Sequence, residues 1–286
     1  MALNKKILST RAVSALFFVI ILIGAICYSY YSFLILFFVI SLIALREYYK
    51  LAALLNTRPY RLTGFSVAIL LFIRASVPNF WDHFPENEIL HMICSVLVIL
   101  FPFILLIIAL FNKGTSNLTD VLHTLFGIIY AVFPLTLLIS IPVHVVNGEF
   151  TYTYFKVLGI LFLIWSNDTL AYLGGSLFGK TKLFERISPG KTWEGTAIGA
   201  LGAIGIGFVL NLNHTYPYDF IWPLIGGLVA IFGTLGDLVE SLLKRQAGVK
   251  DSGQLIPGHG GALDRFDSLL FVTPFIYGLL KMLGLL

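Results

Sequence analysis

Residues 89–111 read ILHMICSVLVILFPFILLIIALF, a run without a single Asp, Glu, Lys or Arg. About 20 consecutive apolar residues are what a helix needs to cross the hydrocarbon core of a bilayer. No other open element satisfies its backbone hydrogen bonds in lipid. The pattern recurs on both sides. Nine such segments are predicted, at about 12–30, 32–54, 63–78, 89–111, 121–146, 154–178, 194–212, 221–243 and 266–285. The second is interrupted by Arg46, Glu47 and Lys50, and the third is short. Pro102, Pro134 and Pro142 are expected to kink their spans.

Composition agrees. The chain is 58% hydrophobic and 12% charged, whereas soluble domains are roughly half apolar and about a quarter charged. Mean hydropathy is +0.90. The expected fold class is all-α, a polytopic integral membrane protein with about nine transmembrane helices. The 286 residues leave no room for a separate soluble domain. Residues 1–150 read as an N-terminal transmembrane scaffold of about five helices. Residues 151–286 read as a C-terminal catalytic transmembrane region with loops 179–193 and 244–265. No small-residue cleavage site follows Cys27, so the first span is expected to be retained.

Orientation follows from basic residues, which favour the cytoplasmic side. A cytoplasmic N-terminus puts sixteen of the nineteen inside, all but Arg74, Lys156 and Lys281. The acidic Asp82, Glu86 and Glu88 then crowd one external loop. The net charge of +4 is thus topogenic, and no nucleic-acid partner is implied. Cys27 and Cys94 have no metal-like or disulfide-like spacing and read as small buried hydrophobes.

Chemistry gathers after residue 160, where nine of the fifteen acidic residues lie. Asp168, next to Asn167, and the pair Asp237 and Glu240 fall within spans, where an ionised carboxylate costs at least about 2.5–3.5 kcal/mol. Asp237, Glu240, Ser241 and Lys244 stand at i, i+3, i+4 and i+7, on one face of a helix. Asp264 and Asp267 are spaced likewise at the start of the last span, where Asp267 also suits the positive end of the helix dipole. Carboxylates without a His/Cys set point to magnesium or manganese over zinc, with a second cation left open. Basic residues complement them. Lys180, Lys182, Arg186 and Lys191 occupy a loop in which Ser188, Thr192 and the N–H groups of the following helix suit phosphate. Gly174–Thr181 matches G-x-x-x-x-G-K-[ST], but it follows a membrane span and not a strand, so a P-loop is rejected. Gly195, Gly199, Gly202, Gly205 and Gly207 read as close helix packing. His259 sits among Gly258, Gly260 and Gly261, where the chain can approach a ligand or adopt positive φ.

These residues resemble a family. Ser241-Leu-Leu-Lys-Arg245 and, four residues on, Lys250-Asp-Ser-Gly-Gln-Leu-Ile-Pro-Gly-His-Gly-Gly-Ala-Leu-Asp-Arg-Phe-Asp267 look like the signature of the phosphatidate cytidylyltransferases, or CDP-diacylglycerol synthases. Asn167-Asp-Thr-Leu-Ala-Tyr172 and Ile187-Ser-Pro-Gly-Lys-Thr-Trp-Glu-Gly195 are also similar to segments of that family, while Ala262 stands where a bulkier aliphatic residue is expected. The resemblance implies transfer of CMP from CTP to phosphatidic acid in a cell membrane, with the active site facing the cytoplasm and magnesium bound. A homodimer is left open. By position, the resemblance makes Asp237 and Asp264 metal ligands supported by Glu240 and Asp267. Lys244, Arg245, His259 and Arg265 would hold phosphates. Ser188, Lys191, Thr192 and Glu194 would serve the nucleotide, and Asn167, Asp168, Ser241, Lys250 and Asp251 complete the expected substrate site. A CTP-dependent isoprenoid-alcohol kinase, a CDP-archaeol-type synthase and, more distantly, an ion-coupled transporter are the alternatives.

Overall fold

The computed structural model describes residues 5–80, 86–112, 118–146, 149–253 and 260–286. Asp82, Lys113 and His259 lie outside the described residues, as do the side chains of Lys5, Lys6, Arg11, Glu86 and Glu88. The described chain is mostly helical, and its continuous helical stretches overlap the apolar segments. They are α1 (Lys5–Tyr28), α2 (Tyr30–Leu54), α3 (Arg61–Phe80), α4 (Glu86–Phe111), α5 (Leu118–Gly127) leading into α6 (Phe133–Leu138), α7 (Tyr154–Phe178), α8 (Trp193–Leu210), α9 (Ile221–Leu228) leading into α10 (Thr234–Gln246), and α11 (Leu263–Met282). Among the described residues, six stretches are long and apolar enough to cross a membrane: Tyr30–Leu54, Ile89–Phe111, Leu118–Leu138, Tyr154–Phe178, Trp193–Asn213 and Ile221–Gln246. This is a multi-pass helical architecture.

Local chemistry explains the breaks. Between α1 and α2, the Ser29 hydroxyl accepts the Ser32 N–H at 3.2 Å while the Ser29 N–H donates to the Ser32 hydroxyl at 3.1 Å, a reciprocal cap that starts the second helix. A π-helical turn at Ile128–Val132 joins α5 to α6. It lies just upstream of Pro134, whose missing N–H cannot close a regular turn on Tyr130. The fifth segment, expected over 121–146, ends as a helix at Leu138. Pro142 disfavours helical geometry at the preceding Ile141. Val143, Val145 and Val146 then favour a strand, and β1 (Val143–Val146) pairs antiparallel with β2 (Glu149–Tyr152). A second hairpin joins β3 (Lys182–Phe184) to β4 (Ser188–Thr192). The two short hairpins are additions to a chain that is otherwise mostly helical, as expected.

The chain forms two compact units, one of Met1–Tyr152 with Gln246–Arg265, the other of Thr153–Arg245 with Phe266–Leu286. In the first, fully buried Tyr49 lies where β-carbons on Gly64 and Gly127 would collide with its ring, and its hydroxyl donates to the Thr124 carbonyl at 3.1 Å. The outer face of α4 is apolar and open, with Phe103 and Leu110 at 62% and 78% exposure, as expected of a wall against lipid.

In the second unit, α7 and α8 touch backbone to backbone. A β-carbon on Gly195 would lie 2.5 Å from the Ala171 carbonyl oxygen, and one on Gly199 would lie 2.7 Å from that of Asn167. Gly207 is confined by the Trp222 carbonyl oxygen at 2.6 Å, Gly202 meets only the tip of the Leu170 side chain, and a β-carbon on Gly205 would meet nothing within 4 Å. The close backbone packing expected of this helix therefore holds at Gly195, Gly199 and Gly207.

Candidate active site

The chemistry of the second unit is built on α10 and α11. A π-helical turn at Val229–Gly233 leads into α10, and the Ser268 hydroxyl of α11 donates to the Gly233 carbonyl at 3.1 Å. One residue before Asp237, Gly236 lets the helices meet. A β-carbon there would lie 2.7 Å from the Asp267 carbonyl oxygen and 2.6 Å from the Phe271 β-carbon. This close approach brings Asp237 and Glu240 of α10 to Asp267 of α11, with one carboxylate oxygen of each within 4.8 Å of the others.

Basic groups answer this cluster. The Lys191 ammonium, on β4, pairs with Asp237 Oδ2 at 2.5 Å. Lys244 pairs with buried Glu240 one turn away on α10, and the Ser241 hydroxyl donates to Asp237 Oδ1 at 3.2 Å. Asp267 Oδ1 accepts the Ser268 N–H at 2.7 Å. Asp168, on α7, lies within electrostatic reach of Lys191 and Asp237 and accepts from the Asn167 amide at 3.3 Å. Four carboxylates against two ammoniums leave two negative charges in excess when all are ionised. Such an excess calls for a cation where water is scarce. The donors are all carboxylate oxygens, a set that fits magnesium or manganese.

The β3–β4 hairpin delivers Lys191. The Glu194 carboxylate accepts the N–H groups of Lys180 and Thr181, both at 3.1 Å. The Thr192 hydroxyl accepts the Gly195 N–H at 3.2 Å as the N-cap of α8. Both side chains, expected on the nucleotide side, are engaged in closing the hairpin onto the helix. Ser188 opens β4, half-buried. Gly174 and Gly175 of the P-loop look-alike lie inside α7, in keeping with its rejection.

Asp264 belongs to the other unit and is not among the three clustered carboxylates. Its Oδ2 accepts from the Ser252 N–H at 3.0 Å, the Ser252 hydroxyl at 2.8 Å and the Gly261 N–H at 2.7 Å. Gly260 takes φ of +88° beside it, where a β-carbon would lie 2.6 Å from the carboxylate, so only glycine fits without strain. Arg245, Lys250, Asp251 and Arg265 are exposed.

Glu47 and Gly236 emerge only from the structure. Glu47 is a buried carboxylate on α2 whose Oε2 accepts the Leu263 N–H at 2.9 Å and the Ser252 hydroxyl at 3.3 Å. The signal was present, since Glu47 is an acid within an apolar span, the same mark that singles out Asp168.

Comparison with known proteins bears on this arrangement. Over 121 residues the chain is 51% identical to the phosphatidate cytidylyltransferase of Bacillus subtilis (strain 168), covering 42% of this chain and 45% of that protein. It is 46% identical over 125 residues to the enzyme of the same name from Staphylococcus aureus (strain COL), covering 42% and 46%. It is 47% identical over 122 residues to phosphatidate cytidylyltransferase 5, chloroplastic, of Arabidopsis thaliana, covering 42% and 30%. The matched stretches span less than half the length of these relatives. A family model reaches much further, from residue 9 to residue 283. Matched along nearly all of its helices, the chain belongs to the cytidylyltransferase family.

Proposed function

We propose that the protein is a phosphatidate cytidylyltransferase of the cell membrane, using magnesium or manganese. The observation that carries the reading is the cluster of Asp237, Glu240 and Asp267, with Lys191 and Lys244 paired into it, on helices of a membrane architecture. Membership of the cytidylyltransferase family and the names of the relatives support it. In the reaction, a phosphate oxygen of phosphatidic acid forms a bond to the α-phosphorus of CTP. The bond from that phosphorus to the bridging oxygen of the β-phosphate breaks, and pyrophosphate leaves with the electron pair. The lipid phosphate has a second pKa of about 6 and is largely dianionic near neutral pH, so no strong base is needed.

The difficulty is bringing two polyanions together in line. Asp237, Glu240 and Asp267 would hold the cation, and the family signature assigns Asp264 a metal-ligand role. When bound, the cation would neutralise charge on the phosphates and on the leaving pyrophosphate. Lys191, delivered by the hairpin, and Lys244 would steady phosphate oxygens from the protein side. Arg245, Arg265 and His259 are assigned to phosphates, Ser188 to the nucleotide, and Asn167, Asp168, Ser241, Lys250 and Asp251 to the substrate site. Residues 1–150 would serve as scaffold and the later half would carry the chemistry. Purified protein given CTP and phosphatidic acid should form CDP-diacylglycerol and pyrophosphate, and chelation of divalent cations should stop it. Release of CDP with a phosphorylated lipid alcohol would sink the reading in favour of a kinase.

Nine spans with the N-terminus in the cytoplasm and the C-terminus outside would put the hairpin and residues 244–265 on the cytoplasmic side. The sixteen-to-three division of basic residues supports this. Thr181 and Asp251 are exposed, whereas Ser252 is buried, so the first two are the positions to label. In a variant lacking Cys27 and Cys94, a cysteine replacing Thr181 or Asp251 should escape a membrane-impermeant maleimide in intact cells. A cysteine replacing Asp219 should react. Ready labelling at Thr181 would invert the topology.

A further inference from the structure

Glu47 lies on α2, 205 residues from Ser252 and 216 from Leu263 in the chain, yet its carboxylate touches both. It is 4% exposed, so solvent does not explain its retention in an apolar helix. The polypeptide wraps it closely. A β-carbon on Gly253 or on Gly261 would collide with the carboxylate and force it to move. The Leu263 N–H that it accepts belongs to the first residue of α11, one of the donors a helix leaves unsatisfied at its start. The Ser252 hydroxyl faces Glu47 Oε2 at 3.3 Å and Asp264 Oδ2 at 2.8 Å. Glu47 thus holds the residue before Asp264 through the backbone, and it contacts the serine that binds Asp264 through both N–H and O–H.

We infer that Glu47 is a positioning residue for Asp264. It acts as a hydrogen-bond acceptor that fixes Asp264 through Leu263 and Ser252. This rests on the reading of Asp264 as a residue of the cytidylyl-transfer site. A buried acceptor that takes the Leu263 and Ala262 N–H groups and shares the single Ser252 hydroxyl proton with Asp264 makes a specific demand. An amide can put its carbonyl oxygen where Oε2 now stands, accept the Leu263 N–H and face the Ser252 hydroxyl. A carboxylate one methylene shorter cannot reach them. A cation ligand makes the opposite demand, because there charge matters more than reach.

The test measures kcat and KM for CTP, per folded molecule, in detergent-solubilised protein of the full chain. Glu47→Gln should keep kcat within about fivefold. Glu47→Ala and Glu47→Asp should lower it about 10²-fold, a loss expected of a misplacement of about 1 Å in a reacting group, with KM for CTP changed less than threefold. Gly253→Ala leaves every hydrogen-bonding atom in place but crowds the carboxylate, and should lower kcat similarly. It keeps the idea testable should Glu47→Ala fail to fold. Asp264→Asn separates the two levels of the argument. If Asp264→Asn is inactive while Glu47→Ala and Gly253→Ala keep normal kcat, the positioning role alone is overturned. If Asp264→Asn keeps normal activity, the reading on which it rests falls as well. If Glu47→Asp is active and Glu47→Gln is not, charge is what matters and the acceptor role is wrong.

Discussion

On the proposed reading, Asp237→Asn and Asp267→Asn should each lower CDP-diacylglycerol formation by a factor of about 10³ or more, while the protein still inserts and accumulates in the membrane. The argument is electrostatic. Asparagine keeps the size of aspartate, so the close meeting of α10 and α11 at Gly236 survives. What disappears is one of the carboxylates clustered within 4.8 Å. Asp237→Asn also leaves the Lys191 ammonium without the carboxylate it pairs with. On the proposed reading, removing one of the clustered carboxylates should weaken the site's hold on a divalent cation. Part of the loss at Asp237 or Asp267 should therefore be recovered as magnesium is raised. Asp219→Asn, on an exposed loop between α8 and α9, serves as the control and should be silent. Pyrophosphate release across a magnesium titration is the measurement. Near-normal turnover of either site variant at ordinary magnesium would return the carboxylate to a packing role.

The same residues show what could be read from the chain beforehand. Helical spans are legible because the requirement they meet is local, as 23 residues from Ile89 to Phe111 without a charge illustrate. The face shared by Asp237, Glu240, Ser241 and Lys244 is legible for the same reason, since helical periodicity converts spacing into direction. Asp267 is legible as an acid near the start of a span. That it, and not Asp264, clusters with Asp237 and Glu240 is not, because both lie on the first turns of α11 and spacing treats them alike. The β3–β4 hairpin escaped because strand pairing depends on partners across a turn, and Lys180–Thr192 reads equally well as a basic loop. Glu47 escaped because its partners lie more than 200 residues away. An acid beside Arg46 and Lys50 reads most simply as one of several charges near the end of a span. Where the determinant was a long-range contact, only the folded chain revealed it.

Gly236 is the sharpest case of such a contact, and it carries the last expected result. Gly236→Ala should lower turnover about 10²-fold, the cost expected of a shift of about 1 Å in catalytic groups. The added methyl meets the Asp267 carbonyl oxygen at 2.7 Å and the Phe271 β-carbon at 2.6 Å. Neither is the tip of a flexible side chain, so relief requires α10 and α11 to part. Parting them separates Asp237 and Glu240 from Asp267 without altering any charged group. Gly205→Ala makes the same chemical change on α8, where the new β-carbon meets nothing within 4 Å. It should leave turnover intact, with a slight gain in stability because alanine is favoured over glycine in a helix by about 1 kcal/mol. The two variants are compared by turnover per folded molecule and by magnesium titration. Gly236→Ala should need more magnesium for half-maximal rate, since a cation held by both helices is bound less well once they separate. If its turnover stayed within threefold of the parent at the same magnesium requirement, the close meeting of the helices would have no part in building the site.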